Sequence, residues 1–305
     1  MRSLEGFKLS FPLQRRINTA FYMQKVIRDP LISARMSSAS KDVRESVCPL
    51  FVLDRNIPLF TGNSVLIQLG IKRYLITAAH IFDRASLQNK EIIAPYDHPT
   101  NGPGFYGIRG VKVQIAPEKL DVYLRNWDIA VFSIHPSLHN AFKGKKFLNF
   151  DEIELKHNLS NKGEYFLIGT AGNKSKSKVQ SKQVNLRIDS LFTYAADIEF
   201  YRKYQINSQW HMLYEYPKKV VNSSTPFEFQ TPNIEGLSGS GIFFCKNLST
   251  LNEPIQSSKL VGIIIDKITE SKNTFHLLNA IRFDCILRIL SYKSNYIRKR
   301  FFKGG

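Results

Sequence analysis

The chain has 305 residues, of which 43% are hydrophobic and 12% aromatic, so it can bury a core and is not a disordered chain. Its net charge of +18 leaves two explanations open: a solvated basic surface, or attraction to a polyanion or acidic partner. The lysines and arginines form only short clusters without an interleaved aromatic motif, so nucleic acid is the weaker candidate partner. Three cysteines are too few for a disulfide framework.

Two features of the chain bear on its compartment. The N-terminal segment MRSLEGFKLSFPLQRR lacks the continuous apolar stretch of a signal peptide, and no later segment reaches about 18 uncharged apolar residues. We therefore expect no transmembrane span, no membrane partner and a cytoplasmic location.

Residues 1–45 differ in character from the rest and are predicted to be a leader with a regulatory role. Apolar residues recur near helical spacing between 14 and 29, which predicts a short amphipathic helix that ends before Pro30. The serines between 37 and 40 predict a loop after it.

From Ser46 onward the chain changes to short apolar runs that are rich in β-branched and aromatic residues and bounded by Gly, Asn, Asp or Pro. They predict strands at 47–53, 64–69, 74–76, 111–115, 129–134, 165–168, 242–244 and 260–265, and another within 207–217. A helical pattern returns only at Ala280 to Ser291. Since the strands do not alternate with helices, we expect an antiparallel all-β barrel or sandwich with a terminal helix.

A histidine and an aspartate stand at the ends of two predicted strands. In RYLITAAHIF, two small alanines precede His80 and let its imidazole project from a fixed backbone position. In NWDIAVFSI, Asp128 begins a buried strand and needs a partner such as a histidine N–H, a backbone group or Thr77. A carboxylate placed in this way can orient an imidazole and stabilise its protonated form.

The stretch IEGLSGSGIFF at 234–244 places three glycines and two serines directly before a run that favours a strand. A tight turn would explain it, and so would a serine held for nucleophilic attack. Taken with His80 and Asp128, Ser238 completes a set in the chain order His, Asp, Ser. Ser240 is a rival nucleophile.

Three blocks, LITAAH, DIAV and GLSGSG, resemble the sequence blocks of trypsin-like (chymotrypsin-fold) serine proteases in the order of that family. They look closest to its intracellular bacterial members, which lack disulfides. The flanking segments LFTGNSVLIQLGIKRYLITAAH, YFLIGTAGNK and KLVGIIID are similar to the family's first hairpin, the strand after the aspartate strand, and the strand that borders the cleft. The resemblance covers about residues 46–292.

The resemblance implies an architecture of two antiparallel six-stranded β-barrels with the substrate cleft between them. Barrel one would span about residues 46–150 and barrel two about 160–280, with an N-terminal helical leader, a C-terminal helix and a basic tail at 293–305.

The resemblance also implies the roles of the site residues. Ser238 would be the nucleophile, His80 the general base and acid, and Asp128 the orienting group, with no metal and no cofactor. The backbone N–H groups of Gly236 and Ser238 would form the oxyanion hole, where glycine permits unusual backbone angles.

The candidate substrate-binding residues depart from the digestive trypsins. Pro232 stands where those enzymes carry the aspartate that recognises basic side chains, so this position does not favour cleavage after Lys or Arg. Glu235 and Asp266 are nearby carboxylates that could supply such a preference by another route.

An α/β-hydrolase is a rival enzyme class, since Ser238, Asp266 and His276 also occur in that fold's order. The closing glycine of G-x-S-x-G is missing from GLSGS, and the strands do not alternate with helices.

The resemblance therefore predicts a serine endopeptidase that cleaves a protein or peptide substrate through an acyl-enzyme intermediate. We expect limited regulatory cleavage, with a partner effector protein as one candidate target. The alternative is a catalytically inactive trypsin-like barrel that acts as a peptide- or nucleic-acid-binding module. The sequence leaves the oligomeric state open.

Overall fold

The structure is a computed structural model of the chain. It describes residues 30–54, 57–82, 91–98, 102–108, 112–114, 127–142, 144–159, 164–171, 177–178, 183–184, 188–221, 228–230, 235–269 and 275–293. Most of the regular structure in these ranges is antiparallel β-sheet, and helices are few.

The N-terminal half forms a seven-stranded sheet. Its strands are β1 (Val47–Asp54), β2 (Ile57–Leu69), β3 (Lys72–Ala78), β4 (Ile92–His98), β5 (Gly102–Gly107), β6 (Lys112–Gln114) and β7 (Ile129–Ile134). They lie in the order β5-β4-β1-β2-β3-β7-β6. Because Ala78 pairs with Ile129, the end of β3 meets the start of β7.

The C-terminal half contains a closed six-stranded barrel. The remaining strands are β8 (Glu164–Gly169), β9 (Ser177–Lys178), β10 (Gln183–Val184), β11 (Asp189–Ala195), β12 (His211–Pro217), β13 (Lys219–Val221), β14 (Glu228–Gln230), β15 (Gly241–Cys245), β16 (Lys259–Ile268) and β17 (Phe275–Arg282). The barrel closes in the order β11-β12-β17-β16-β15-β8, while β9 with β10 and β13 with β14 form two small ribbons. Every pair in the barrel is antiparallel.

Within the described ranges, three α-helices accompany the strands: α1 (Pro30–Arg44), α2 (Ile198–Lys203) and α3 (Phe283–Lys293). The same ranges contain two short 3-10 helices, at Pro136–Phe142 and Phe150–Glu152. None of the helices in the described ranges is long and apolar enough to span a bilayer.

One hydrophobic core joins the two halves. It contains Val65 and Ile76 from the N-terminal sheet together with Phe243 and Ile263 from the barrel. Strand β15 is buried on both faces, because Phe243 points into this shared core while Ile242 points into the barrel's own interior. The sheet and the barrel are therefore packed against each other rather than tethered by a linker.

The predicted strands are confirmed, since each predicted range contains or overlaps a strand. The predicted antiparallel all-β architecture is confirmed in its C-terminal half, where the barrel is closed. The range predicted to form barrel one contains the seven-stranded sheet, which has no closing pair between β5 and β6 among the described residues.

Two details of the helix prediction were wrong. The serines between 37 and 40 lie within α1, because Ile32, Ala39 and Val43 share a buried face and the Ser40 hydroxyl donates to the Ser37 carbonyl at 3.1 Å. The C-terminal helix begins at Phe283, since the preceding residues pair within the barrel as the end of β17. The helix predicted at 14–29 and the tail beyond 293 lie outside the described residues.

Candidate active site

His80 and Asp128 lie side by side where β3 ends and β7 begins. The Ala79 N–H donates to the Asp128 carbonyl at 3.0 Å, which continues the strand pairing beyond Ala78 and Ile129. His80 follows in a helical turn at 79–82 that lifts its ring away from the sheet. The two residues that the sequence predicted to meet are therefore brought together by the register of one strand pair.

The Asp128 carboxylate holds both the ring and the backbone of His80. Its Oδ2 accepts from the ring Nδ1, and its Oδ1 accepts from the His80 backbone N–H at 2.7 Å. Because Nδ1 carries the proton, Nε2 is left with a free lone pair and can act as a base. The side chains are 28% and 29% exposed, so a substrate can reach the ring. Besides the ring, the backbone N–H of His80 is therefore the group that supports the Asp128 carboxylate. Thr77 does not take this role, because its hydroxyl donates to the Asn63 carbonyl at 2.5 Å.

Ser238 lies in a tight turn formed by residues 236–239, which we call the serine turn. Gly236 and Gly239 adopt φ values of 89° and 82°, in the left-handed region that only glycine enters at low cost. The Gly239 N–H donates to the Ile264 carbonyl at 2.7 Å, and the Ile264 N–H donates to the Ser240 carbonyl at 2.9 Å. The turn is thereby fixed to strand β16 of the barrel.

Three consecutive backbone N–H groups of the serine turn lack an acceptor among the described residues. They belong to Gly236, Leu237 and Ser238, whereas the N–H groups of Gly239 and Ser240 are both bonded. A developing oxyanion requires unpaired donors of this kind. Two of the three, those of Gly236 and Ser238, are the groups that the resemblance assigns to the oxyanion hole.

The serine turn packs directly on the strands that lead to His80. The Asn63 N–H donates to the Ser238 carbonyl at 2.8 Å. A Cβ added to Gly239 would overlap both the Asn63 carbonyl and Oγ1 of Thr77, which lies three residues before His80. The serine turn and β3 therefore meet at one contact between the barrel and the sheet. Ser238 and His80 each lie within a few residues of this contact along the chain.

The two serines of GLSGSG differ in their surroundings. Ser238 is partly exposed, and its hydroxyl makes no hydrogen bond with His80 among the contacts of the described residues. Such bonds are often long in proteases without substrate. Ser240 is completely buried, and its hydroxyl faces the backbone of Gly169 without a partner. A buried hydroxyl cannot reach a substrate, so Ser240 is the weaker nucleophile candidate.

Two of the three candidate substrate-binding residues lie in the described part of the chain. Pro232 lies outside the described residues. Glu235 is exposed directly before the serine turn. Asp266 is exposed on β16, and its Oδ1 accepts from the Lys267 N–H at 2.7 Å.

Among the described strands, the C-terminal part of β16 near the serine turn has a neighbour on one side only. The first part of this strand pairs with β15 up to Ile263, but from Asp266 to Ile268 it pairs only with β17 among the described strands. An extended peptide can add to such an edge through main-chain hydrogen bonds.

The rival α/β-hydrolase set does not fit this architecture. Its proposed histidine, His276, lies on β17 opposite Tyr216 in an antiparallel barrel, whereas that fold requires a parallel sheet covered by helices. Sequence reasoning missed one residue of the site, Asn63. The local signal is weak, because β2 contains three other polar residues, Thr61, Ser64 and Gln68.

No protein-family model matches the chain, and no curated protein matches it.

Proposed function

We propose that the protein is a serine endopeptidase that hydrolyses peptide bonds of protein substrates. The observation that carries the proposal is the pair of hydrogen bonds that His80 donates to the Asp128 carboxylate, at the ends of strands against which the Ser238 backbone packs. A histidine oriented in this way, near a turn whose N–H groups at 236 and 238 have no acceptor among the described residues, is the arrangement that acyl transfer needs.

The reaction follows from these positions. Nε2 of His80 removes the hydroxyl proton of Ser238 while Oγ attacks the carbonyl carbon of the scissile bond. The carbonyl oxygen becomes negative and is stabilised by the N–H groups of Gly236 and Ser238. The protonated ring then donates to the leaving amine, and a water molecule hydrolyses the acyl-enzyme with the same ring as base.

The C-terminal edge of β16 supports a polypeptide substrate. A chain extended along Asp266 and Lys267 would place its next peptide bond toward the serine turn, since Ile264 on the same strand is bonded to residues 239 and 240. Glu235 and Asp266 are both exposed, and their carboxylates would favour substrates with basic residues near the cleavage site.

We also propose an architecture and a cellular location that are consistent with this activity. We propose a chymotrypsin-like arrangement in which the seven-stranded sheet takes the place of barrel one and the closed barrel that of barrel two. We further propose a cytoplasmic protein with regulatory protein targets, because its three cysteines are all free and buried, as expected in a reducing compartment.

Labelling with a fluorophosphonate probe tests the proposal, since this probe reacts only with an activated serine. The wild type is expected to be labelled, and Ser238→Ala is expected to lose the label. Ser240→Ala is the matched control, because it removes a hydroxyl two positions away that is buried and unpartnered. Retention of the label in Ser238→Ala, or its loss only in Ser240→Ala, would contradict the assignment of the nucleophile.

A wild-type protein without any labelling would point to the binding module. Titration with a peptide and with a nucleic acid then identifies its ligand, since nucleic-acid binding weakens steeply with salt.

A further inference from the structure

Asn63 uses every polar group that it has, although its side chain is completely buried. Its side-chain Nδ2 donates to the carbonyls of Thr170 at 3.1 Å and of Gly236 at 2.7 Å. Its Oδ1 accepts from the Thr170 N–H at 2.8 Å. Its own N–H donates to the Ser238 carbonyl, and its carbonyl accepts from the Thr77 hydroxyl.

These bonds converge on one residue from three parts of the fold. Thr170 directly follows β8, Gly236 and Ser238 belong to the serine turn, and Thr77 lies on β3, which ends two residues before His80. Asn63 itself lies on β2. Its side chain joins the serine turn to Thr170, and its backbone joins the same turn to β3, the strand that leads to the proposed base.

The bonds act on the orientation of the serine turn. A carbonyl held by an N–H fixes the plane of its peptide group, and the Gly236 carbonyl belongs to the peptide that precedes Leu237. With the Ser238 carbonyl held as well, the peptide groups before Leu237 and after Ser238 are both fixed relative to β2. That orientation decides where the Ser238 hydroxyl and the unpaired N–H groups point.

We propose that Asn63 is the positioning residue of this site, holding the serine turn in register with His80. The proposal rests on the proposed hydrolase function. The geometry requires an amide, because only an amide combines two N–H donations to carbonyls with an accepted N–H bond. Aspartate has the same shape and could still accept from Thr170, but it would place a carboxylate oxygen against the carbonyls of Thr170 and Gly236.

The kinetic test compares Asn63→Ala and Asn63→Asp with the control Ser64→Ala. Ser64 is the next residue on β2, equally buried, and its hydroxyl donates to the Cys48 carbonyl, away from the serine turn. The substrate is p-nitrophenyl acetate, and rates are referred to the folded fraction. We expect both Asn63 variants to acylate about 100-fold more slowly with KM within about threefold, and Ser64→Ala to acylate within about threefold of the wild type.

The pH profile separates positioning from general damage. The ring–carboxylate pair does not involve Asn63, so in the uncharged variant Asn63→Ala the midpoint of the pH–rate profile is expected to stay unchanged while its plateau falls. A shifted midpoint, or an equal loss in Ser64→Ala, would assign the effect to the sheet as a whole and overturn the proposal.

Hydrogen exchange gives a second readout that does not depend on turnover. Asn63→Asp is expected to speed exchange of the amides at 235–245 at least tenfold, whereas Ser64→Ala leaves them at the wild-type rate. Unchanged exchange in this segment overturns the proposal, even if activity falls.

The outcomes distinguish the two proposals. If the wild type is labelled by the fluorophosphonate and Asn63→Ala acylates normally, the assignment of Asn63 alone fails. If the wild type is not labelled, the proposed hydrolase fails and takes the positioning role with it.

Discussion

At the scale of single residues, Asp128 binds the ring of His80 through one oxygen and its backbone through the other. In Asp128→Asn the amide can still accept from the backbone N–H, but its N–H₂ faces Nδ1 and favours the tautomer with the proton on Nε2. That tautomer cannot take a proton from Ser238. We expect kcat to fall about 10³–10⁴-fold with little change in KM.

Steady-state kinetics on a cleaved peptide or on p-nitrophenyl acetate measures this effect. Asp42→Asn, at an exposed position on α1, is the control and should leave kcat within about twofold. A loss of less than tenfold in Asp128→Asn would refute the orienting role of the carboxylate.

Gly239 and Gly144 form a matched pair with similar backbone angles and different surroundings. Both have positive φ, at 82° and 85°, but a Cβ on Gly144 meets nothing within 4 Å, whereas one on Gly239 overlaps Asn63 and Thr77. Gly144→Ala is expected to cost about 1 kcal/mol of unfolding free energy from backbone strain alone. Gly239→Ala adds overpacking and is expected to cost about 3 kcal/mol.

Urea unfolding followed by tryptophan fluorescence measures both variants, since Trp127 and Trp210 are in edge-to-face contact at 5.3 Å between ring centroids. Equal losses in the two variants would show that steric contact with the sheet contributes nothing to the serine turn.

The residues of the site were predictable to different degrees. His80 and Asp128 stand one or two positions outside paired strands, so the local pattern of strand and polar residue was enough to single them out. Asn63 was not predictable in this way, because its partners lie 107 and 173 positions away along the chain. Only the packing of the sheet against the barrel brings them together.

At the scale of elements, Arg35 connects α1 to the loop that follows β15. The Arg35 guanidinium donates to the backbone carbonyls of Asn247, Leu248, Thr250 and Glu253, in the loop that follows β15. Lysine has three donors on one nitrogen and cannot reach four divergent carbonyls. Arg35→Lys is therefore expected to lower the unfolding free energy by about 1–3 kcal/mol and to speed hydrogen exchange in this loop.

Arg202→Lys provides the comparison, because Arg202 is exposed at the end of α2. Its replacement should change stability by less than about 0.5 kcal/mol. If Arg35→Lys lowered the unfolding free energy as little as Arg202→Lys, the hydrogen bonds from Arg35 to the loop would not contribute to stability.

The elements show where the sequence pattern was sufficient and where it was not. Strand β7 was predicted at its observed bounds because its apolar run is interrupted by a single polar residue and bounded on both sides. Helix α1 was missed because its serines have weak helix propensity, which the burial of Ile32, Ala39 and Val43 outweighs. Strand β17 runs into α3 without a turn, so one apolar pattern concealed two elements.

At the scale of the whole molecule, His157 makes stability depend on pH. It lies buried against the ring of Phe244 and shares a hydrogen bond of 2.7 Å with the Tyr165 hydroxyl. Burial, followed by the positive charge of Arg282, lowers the pKa of His157 from 6.5 to about 4, while Asp284 opposes this in part. Between pH 6.5 and about 4, His157 therefore binds a proton in the unfolded chain but not in the folded protein.

The unfolding free energy is accordingly expected to be highest above pH 6.5 and to fall as the pH decreases toward about 4. In His157→Gln, which cannot be protonated but can still bond to Tyr165, this dependence should become shallower. The exposed His135 offers a control, and His135→Gln should follow the wild-type curve. Urea unfolding at half-unit pH steps measures these curves. If the unfolding free energies of the wild type and of His157→Gln changed in parallel with pH, His157 would not be the source of the pH dependence.

The hydrogen bonds from Arg35 on α1 to the loop after β15 also have a consequence for biosynthesis. Arg35 leaves the ribosome more than 210 residues before Glu253, its last acceptor (a separation of 218 positions). At about 5–20 residues per second, the nascent N-terminal helix waits roughly ten to forty seconds for that partner. The full set of hydrogen bonds between α1 and this loop therefore cannot form until residue 253 has been synthesised.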